Sequence, residues 1–200
     1  MSNQSGNIYG LTILSPIQDD PHAEIPHSLA IQMYLAKLPR DHNSPFAKVS
    51  STHMARLSVL EDVVRVTPAL GDYLKSSYLV FESNFDGDLD MYLMRMAIEV
   101  PEFVDAVWQH CVGYPGVTDL SFFTAYMKRC QMETTFYFAD VNNKTVHETL
   151  LALQTQSSVT AFIERHQGKG GTELQSAFAE FLRELRGVAK VSAGQDKTLD

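Results

Sequence analysis

Cysteine, clustered positive charge and long apolar runs are all scarce in this chain of 200 residues. The two cysteines, Cys111 and Cys130, form no CxxC pair, so we expect no disulfide framework and favour a reducing, cytoplasmic setting. Lys and Arg total 16 against 24 Asp and Glu. Because no basic run offsets this acidic balance, we expect no nucleic-acid partner. No apolar run approaches the roughly 18 residues that cross a bilayer, so we also expect no membrane span.

Sequence motifs for metal and phosphate ligands are missing as well. His147 and His166 lie on predicted helices without a second ligand at i, i+4, so a zinc site is not expected. The alternating acids of 86–90 suggest a calcium loop, but Met91 and Ala97 stand where that loop needs glycine and glutamate. Capping of a helix explains these acids better. The QGKGG segment follows no strand and lacks GK[ST], so it is not a phosphate loop.

Hydrophobic periodicity predicts a mixed chain of strands and helices. Alternation of period two predicts strands near 7–15, 52–60, 78–85 and 133–139. Helical spacing predicts helices over 28–38, 89–111 with a kink at Pro101, 120–130, 145–165 and 172–186. Residues 1–6 are predicted to be disordered, 7–166 to form the main domain, 167–186 to be a helical appendage and 187–200 a flexible tail. Residues 39–51 and 61–76 are predicted connections.

This order of elements predicts an α+β fold of the ferredoxin-like type, βαββαβ, with additional C-terminal helices. In such a unit, two helices cover one face of an antiparallel sheet. The other face, here called the open face, mixes polar and apolar side chains in a way that suits neither water nor a core. Its predicted members are Thr12, Met54, Arg56, Ser58, Tyr78, Val80, Glu82, Asn84, Thr135 and Tyr137. A second copy covering this face would enclose a cavity with convergent polar groups, so we expect a homodimer.

The segments THMAR, FESNFDG and HCVGYPG, set in this order of strands and helices, carry a resemblance to a known superfamily. The chain resembles, over roughly residues 7–165, the dimeric α/β-barrel superfamily of ferredoxin-like proteins, and the three segments resemble those of a bacterial group with this fold. The superfamily includes small monooxygenases, chlorite dismutases and dye-decolorising peroxidases. The peroxidases carry a GxxDG motif. Here Asn84 stands at the head of NFDG without that first glycine, which disfavours peroxidase chemistry.

Arg56, Glu82 and Tyr137 are the candidate catalytic residues, because all three share the parity of the open face. The charged pair could fix a carboxylate substrate or steer a proton; the alternative is a cross-strand ion pair in a dimer interface. Tyr78 and Asn84 on the same face are candidate ligand-binding residues.

His53 is a third candidate ligand-binding residue, although it has the parity of Ala55 and Leu57 and should point towards the helices. It could be a haem ligand or general base, or a hydrogen-bonded core residue. His110 and Cys111 end a helix, where a structural role explains them.

Most of the aromatic side chains are expected in the core. This set comprises Tyr78, Phe81, Phe85, Trp108, Phe136, Tyr137 and Phe138, with Tyr78 and Tyr137 as exceptions.

Three functions fit these features. The first is a small-molecule-binding protein, including an oxidoreductase that acts without a tightly bound cofactor. The second is a haem-dependent, peroxidase-like oxidoreductase that uses His53 or His110. The third is a non-catalytic accessory or assembly protein whose open face and last helix bind another chain. We expect no cofactor, with haem as the alternative, and no metal.

Overall fold

The computed structural model describes residues 3–61, 74, 76–141 and 143–195, with side chains up to residue 185 in the last helix. The chain divides into two compact units, Met1–Val146 and His147–Asp200. The predicted connection at 61–76 lies almost entirely outside the described residues, as do residues 1, 2 and 196–200.

Among the described residues, the first unit contains four strands and five helices, and the second contains two long helices. The strands are β1 (Gln4–Ser5), β2 (Ile8–Pro16), β3 (Thr52–Leu60) and β4 (Tyr78–Asp86). The helices are α1 (His27–Leu35), α2 (Pro45–Lys48), α3 (Leu89–Glu99), α4 (Pro101–Trp108), α5 (Leu120–Arg129), α6 (Val146–Arg165) and α7 (Gly171–Gln195). Three of the four predicted strands and the main predicted helices are therefore confirmed, and Pro101 starts a new helix as expected.

The strands form one antiparallel sheet in the order β1-β2-β4-β3. β4 lies between β2 and β3, which is the arrangement that a split βαβ unit predicts. The position beside the outer edge of β2 is occupied by β1, so the complete βαββαβ order is not formed. The fold is a mixed α+β fold with a four-stranded antiparallel sheet and seven helices among the described residues.

The predicted strand at 133–139 is wrong, because two other segments bond to the outer edge of β2. β1 pairs with the start of β2, and Gly10 N–H donates to the Asn3 carbonyl over 2.7 Å. Further along, Leu14 N–H donates to the Cys130 carbonyl over 2.9 Å and Met132 N–H to the Thr12 carbonyl over 2.8 Å. Residues 133–139 form no strand.

Side chains of the N-terminal segment hold residues 133–139 instead. The Asn3 side-chain oxygen accepts from Thr134 N–H over 2.9 Å, and the Ser5 hydroxyl accepts from Ala139 N–H over 3.3 Å. Residues 3–6, predicted to be disordered, thus include strand β1 and these anchoring contacts. At the other end of the chain, α7 continues through 187–195, where a flexible tail was predicted.

The hydrophobic core lies between the helices and one face of the sheet. Leu11, Ile13, Leu79, Phe81 and Phe85 supply the sheet side, and all are at most 2% exposed. The helix side comes from Ile31, Tyr92, Leu93, Met96, Phe103, Val104, Val107, Trp108, Phe123 and Met127. Alternation along β2 and β4 predicted this face correctly. Two aromatic predictions are wrong: Phe136 and Phe138 are 84% and 67% exposed, because their segment is not in the sheet.

Local capping explains where helices α3 and α5 begin. Asp88 precedes α3 and accepts from Asp90 N–H over 2.8 Å, and Asp119 precedes α5 and accepts from Ser121 N–H over 2.9 Å. These contacts satisfy backbone donors that a first helical turn leaves open. Across the described residues, none of the helices has the length and apolar character needed to cross a bilayer.

Candidate functional site

Three polar pairs lie on the open face along β4. Glu82, Asn84 and Asp86 occupy alternate positions of this strand, so their side chains leave the same face of the sheet. Each is hydrogen-bonded to a side chain from a different segment: Arg56 for Glu82, Tyr137 for Asn84 and His53 for Asp86. Neighbouring pairs are about 7 Å apart along the strand. We call this set of six side chains the polar ladder.

The Arg56–Glu82 pair joins directly opposed residues of β3 and β4. The Arg56 Nε donates to Glu82 Oε2 over 2.6 Å, and its Nη2 donates to the same oxygen. The Arg56 side chain is 69% exposed and that of Glu82 is 36% exposed. A guanidinium has five N–H donors, so this contact leaves several for an anionic ligand. In the single chain the pair contributes little to stability, because water screens it.

Tyr137 packs its ring flat over Gly10 on β2. A Cβ atom built on Gly10 would lie 2.6 Å from that ring. The Tyr137 hydroxyl donates to Asn84 Oδ1 over 3.1 Å, which fixes the amide and leaves its NH₂ group for other partners. Partial burial raises the pKa of Tyr137, so the phenol stays protonated at neutral pH. Tyr137 is therefore on the open face as predicted, although it is not in a strand.

His53 does not point towards the helices, and this prediction is wrong. A β-bulge between Thr52 and Met54 inserts His53 as an extra residue in β3. The bulge reverses the parity at this point, since two residues of β3 then oppose one of β4. His53 Nε2 lies 2.7 Å from Asp86 Oδ1, and the two side chains are 23% and 13% exposed.

Asp86 is held from a second direction as well. Its other oxygen, Oδ2, accepts from the backbone N–H of Val146 over 2.7 Å, at the first residue of α6. A carboxylate fixed through both oxygens can orient the imidazole of His53 and select its tautomer. Sequence reasoning assigned Asp86 to helix capping only; its shared parity with Glu82 and Asn84 was the signal that could have placed it in the site.

Tyr78 is separate from the polar ladder. It shares the open face but lies opposite Pro16 and Leu60, at the far end of β4. It lies four positions before Glu82 on the strand, a distance of about 13 Å. Of the six predicted site residues, the structure thus brings together Arg56, Glu82, Tyr137, Asn84 and His53 and leaves Tyr78 apart.

The cysteines lie in a different environment. Cys111 is fully buried, and burial, with a further contribution from nearby Cys130, raises the pKa of the Cys111 thiol to about 12. A thiol with so high a pKa carries almost no thiolate at neutral pH and is a poor nucleophile. Cys111 is therefore a weak candidate for a nucleophile.

His110 has a partner that sequence reasoning missed. Its Nδ1 lies 2.8 Å from Nδ1 of His27, the first residue of α1, so one imidazole must donate to the other. Burial lowers the pKa of His110, and the facing His27 lowers it further. The two residues are 83 positions apart in sequence, so no local pattern could reveal the pair. Among the described residues, no three His, Cys, Asp or Glu side chains come close enough together to hold a metal ion.

Comparison with known proteins adds no family or function to this geometry. No protein-family model, curated protein or solved structure matches the chain significantly.

Proposed function

We propose that this protein binds a small anionic or hydroxylated molecule on the polar ladder of its open sheet face. The observation that carries the proposal is that three consecutive same-face positions of β4 each hold an oriented polar partner from elsewhere in the chain. Side chains that are already fixed lose little conformational freedom when a ligand arrives. Side chains held in one orientation by hydrogen bonds also make a binding surface specific for its ligand.

Each pair in the ladder supports one feature of the ligand. Arg56 has unused N–H donors for a carboxylate or phosphate. The Asn84 amide, fixed by Tyr137, offers donors for a hydroxyl or carbonyl oxygen. His53, oriented by Asp86, can exchange a proton with a ligand hydroxyl. The enzymatic form of this proposal is oxidoreductase chemistry without a tightly bound cofactor, with Tyr137 and His53 as the proton-moving groups.

A second copy of the chain is the cover that we propose for this face. In one chain the Arg56 side chain is 69% exposed, and Met54 beside it is 62% exposed. A cover would remove water from the ladder and strengthen its charged contacts with a ligand. The homodimer expected from the sequence is thus retained as part of this proposal.

The test is binding of small carboxylates to the wild-type chain and to Arg56→Met/Glu82→Leu. We expect wild-type protein to shift backbone NMR signals of β3 and β4 when titrated with salicylate, benzoate or succinate, and the double variant to lose at least tenfold in affinity. The matched control is Lys169→Met/Glu173→Leu, which removes another exposed ion pair.

Both variants should keep their stability within about 1 kcal/mol, since exposed ion pairs contribute little. Equal affinity in wild type and the ladder variant would refute the proposed site. A Soret band in the purified protein that disappears in His53→Ala would instead favour the haem alternative.

A partner-binding role is the second candidate function. Phe136 and Phe138 are 84% and 67% exposed, close to Tyr137 in the chain, and large exposed aromatic side chains are typical of interaction surfaces. Under this alternative, Phe136→Ser/Phe138→Ser would abolish capture of a partner chain while salicylate, benzoate and succinate give no NMR shifts.

A further inference from the structure

The second unit is a pair of helices with little interior of its own. α6 and α7 are joined by residues 166–170, and none of the twenty side chains of α6 is buried. An aromatic cluster joins the helices, with ring centroids of Phe162 and Phe181 4.8 Å apart and those of Phe162 and Phe178 5.7 Å apart. Two helices with so little buried surface are marginal in water, since most helix stability comes from packing.

Exposed apolar side chains remain on both helices of this unit beside the aromatic cluster, where the ring of Phe178 lies 5.7 Å from that of Phe162, the residue before Ile163. Val159 and Ile163 are one turn apart on α6, and Leu174 and Phe178 are one turn apart on α7, so each pair lies on one side of its helix. These four side chains are 37%, 55%, 37% and 46% exposed. We call them the hairpin patch.

We propose that the hairpin patch docks against the same patch of a second copy, so that two hairpins form a four-helix bundle. Four-helix bundles are the simplest way for two such helix pairs to bury their apolar sides. The proposal concerns the contact that holds two copies together and does not rest on ligand binding by the sheet.

The size of the patch fits a dimer contact. If a large apolar residue offers about 200 Å², the patch exposes on the order of 350 Å² of apolar surface. A standard interface buries roughly 800 Å² per partner, of which a little over half, or about 450 Å², is non-polar. The patch therefore supplies most of the apolar core that a stable contact needs, with polar neighbours as its rim.

Charge at the patch is compatible with a second copy. The formal net charge of the chain is −8, so most pairs of identical surfaces would repel each other. The four patch residues are uncharged, and Gln156 and Gln175, which helical spacing places at the edges of the patch, are uncharged too. An uncharged apolar face can meet itself across a two-fold axis without like-charge contacts, as a symmetric interface requires.

The direct test is the mass of the full chain in solution. We expect wild type to be a dimer in sedimentation or light scattering at micromolar concentration, and Ile163→Glu/Phe178→Glu to raise the dissociation constant at least a hundredfold. The control Gln154→Glu/Ala179→Glu places the same charges at exposed positions outside the patch and should leave the mass unchanged. A wild-type monomer, or an unchanged dimer in the patch variant, would overturn the proposal.

A second measurement covers the case in which the variant hairpin unfolds. Hydrogen exchange of wild-type amides 155–182 should slow as protein concentration rises, because docking protects only the associated chain. Exchange that is independent of concentration would contradict the proposal. Arg56→Glu should impair salicylate, benzoate or succinate binding and leave most of the dimer affinity, because the hairpin patch is the main contact between the two copies. Failure of the ladder and failure of the patch therefore give different results.

Discussion

Gly10 on β2 has no room for a side chain, because the ring of Tyr137 lies where its Cβ would be. The nearest ring atom is 2.6 Å from that position. We expect Gly10→Ala to displace Tyr137, break its hydrogen bond to Asn84 and lower the free energy of unfolding by about 1–3 kcal/mol, as overpacking does. Chemical denaturation monitored by Trp108 fluorescence measures the change.

A double-mutant cycle identifies the cause of this loss. In a Tyr137→Ala background, Gly10→Ala should be nearly neutral. The matched control is Gly170→Ala, followed by circular dichroism at 222 nm because Gly170 lies in the second unit. An added Cβ there would meet nothing within 4 Å, and the backbone is not left-handed. The same destabilisation in both backgrounds would mean that the Tyr137 contact is not the reason for glycine at position 10.

Single residues also show how far the candidate site could be predicted. Arg56, Glu82 and Asn84 were placed on the open face by alternation alone, because side chains in a regular strand alternate between faces. His53 was misplaced, since one inserted residue in β3 reverses that alternation. Nothing in the local sequence marks the bulge, which is defined only by the pairing of β3 with β4.

The His27–His110 contact links the start of α1 to the residues after α4 and should make stability depend on pH. The pKa of His110 is lowered from its ordinary value near 6.5 in the folded chain. The unfolded chain therefore binds this proton more readily than the folded chain. The contribution of His110 to the free energy of unfolding should be constant well above pH 6.5, the ordinary pKa, and should fall as the pH drops below it. Two protonated imidazoles 2.8 Å apart would also repel.

Urea denaturation between pH 8 and pH 5 tests this dependence. His110→Gln should reduce the loss of stability between pH 7 and pH 5, while His22→Gln, at an exposed position, should not. An unchanged pH profile in His110→Gln would show that other groups cause the dependence.

The helices and strands differ in how well the sequence predicts them. Caps such as Asp88 and Asp119 act within one helical turn, so helix starts could be read locally. The segment 133–139 alternates like a strand, but β1 and residues 130–132 take the edge that it would need. Alternation predicts an extended segment. It does not predict which of several segments pairs with a given strand edge.

For the whole molecule we expect two separate unfolding transitions, one for each unit. Trp108 is the only tryptophan, is fully buried in the first unit and reports that unit alone by fluorescence. Circular dichroism at 222 nm reports both units and includes the two long helices of the second. Because α6 buries no side chain, the second unit should unfold at lower urea concentration, and its midpoint should rise with protein concentration if the hairpins dimerise.

Leu93→Ala is the control for this assignment. Leu93 is fully buried on α3, so the variant should lose about 2–5 kcal/mol. It should move the fluorescence transition and the matching part of the dichroism curve, and leave the transition of the second unit unchanged. Superimposed fluorescence and dichroism curves would show instead that the two units unfold as one.

By itself the sequence determined the local features of this protein: strands β2 to β4, the capped helices, the core face of the sheet and the three β3 and β4 positions that begin the polar ladder. Each depends on periodicity or capping within a few neighbouring residues. Tertiary structure alone decided that β1 rather than 133–139 completes the sheet, that His53 meets Asp86, and that Tyr137 covers Gly10. These outcomes depend on competition for one strand edge, on register between strands and on space above a glycine, which are relations between residues far apart in the chain.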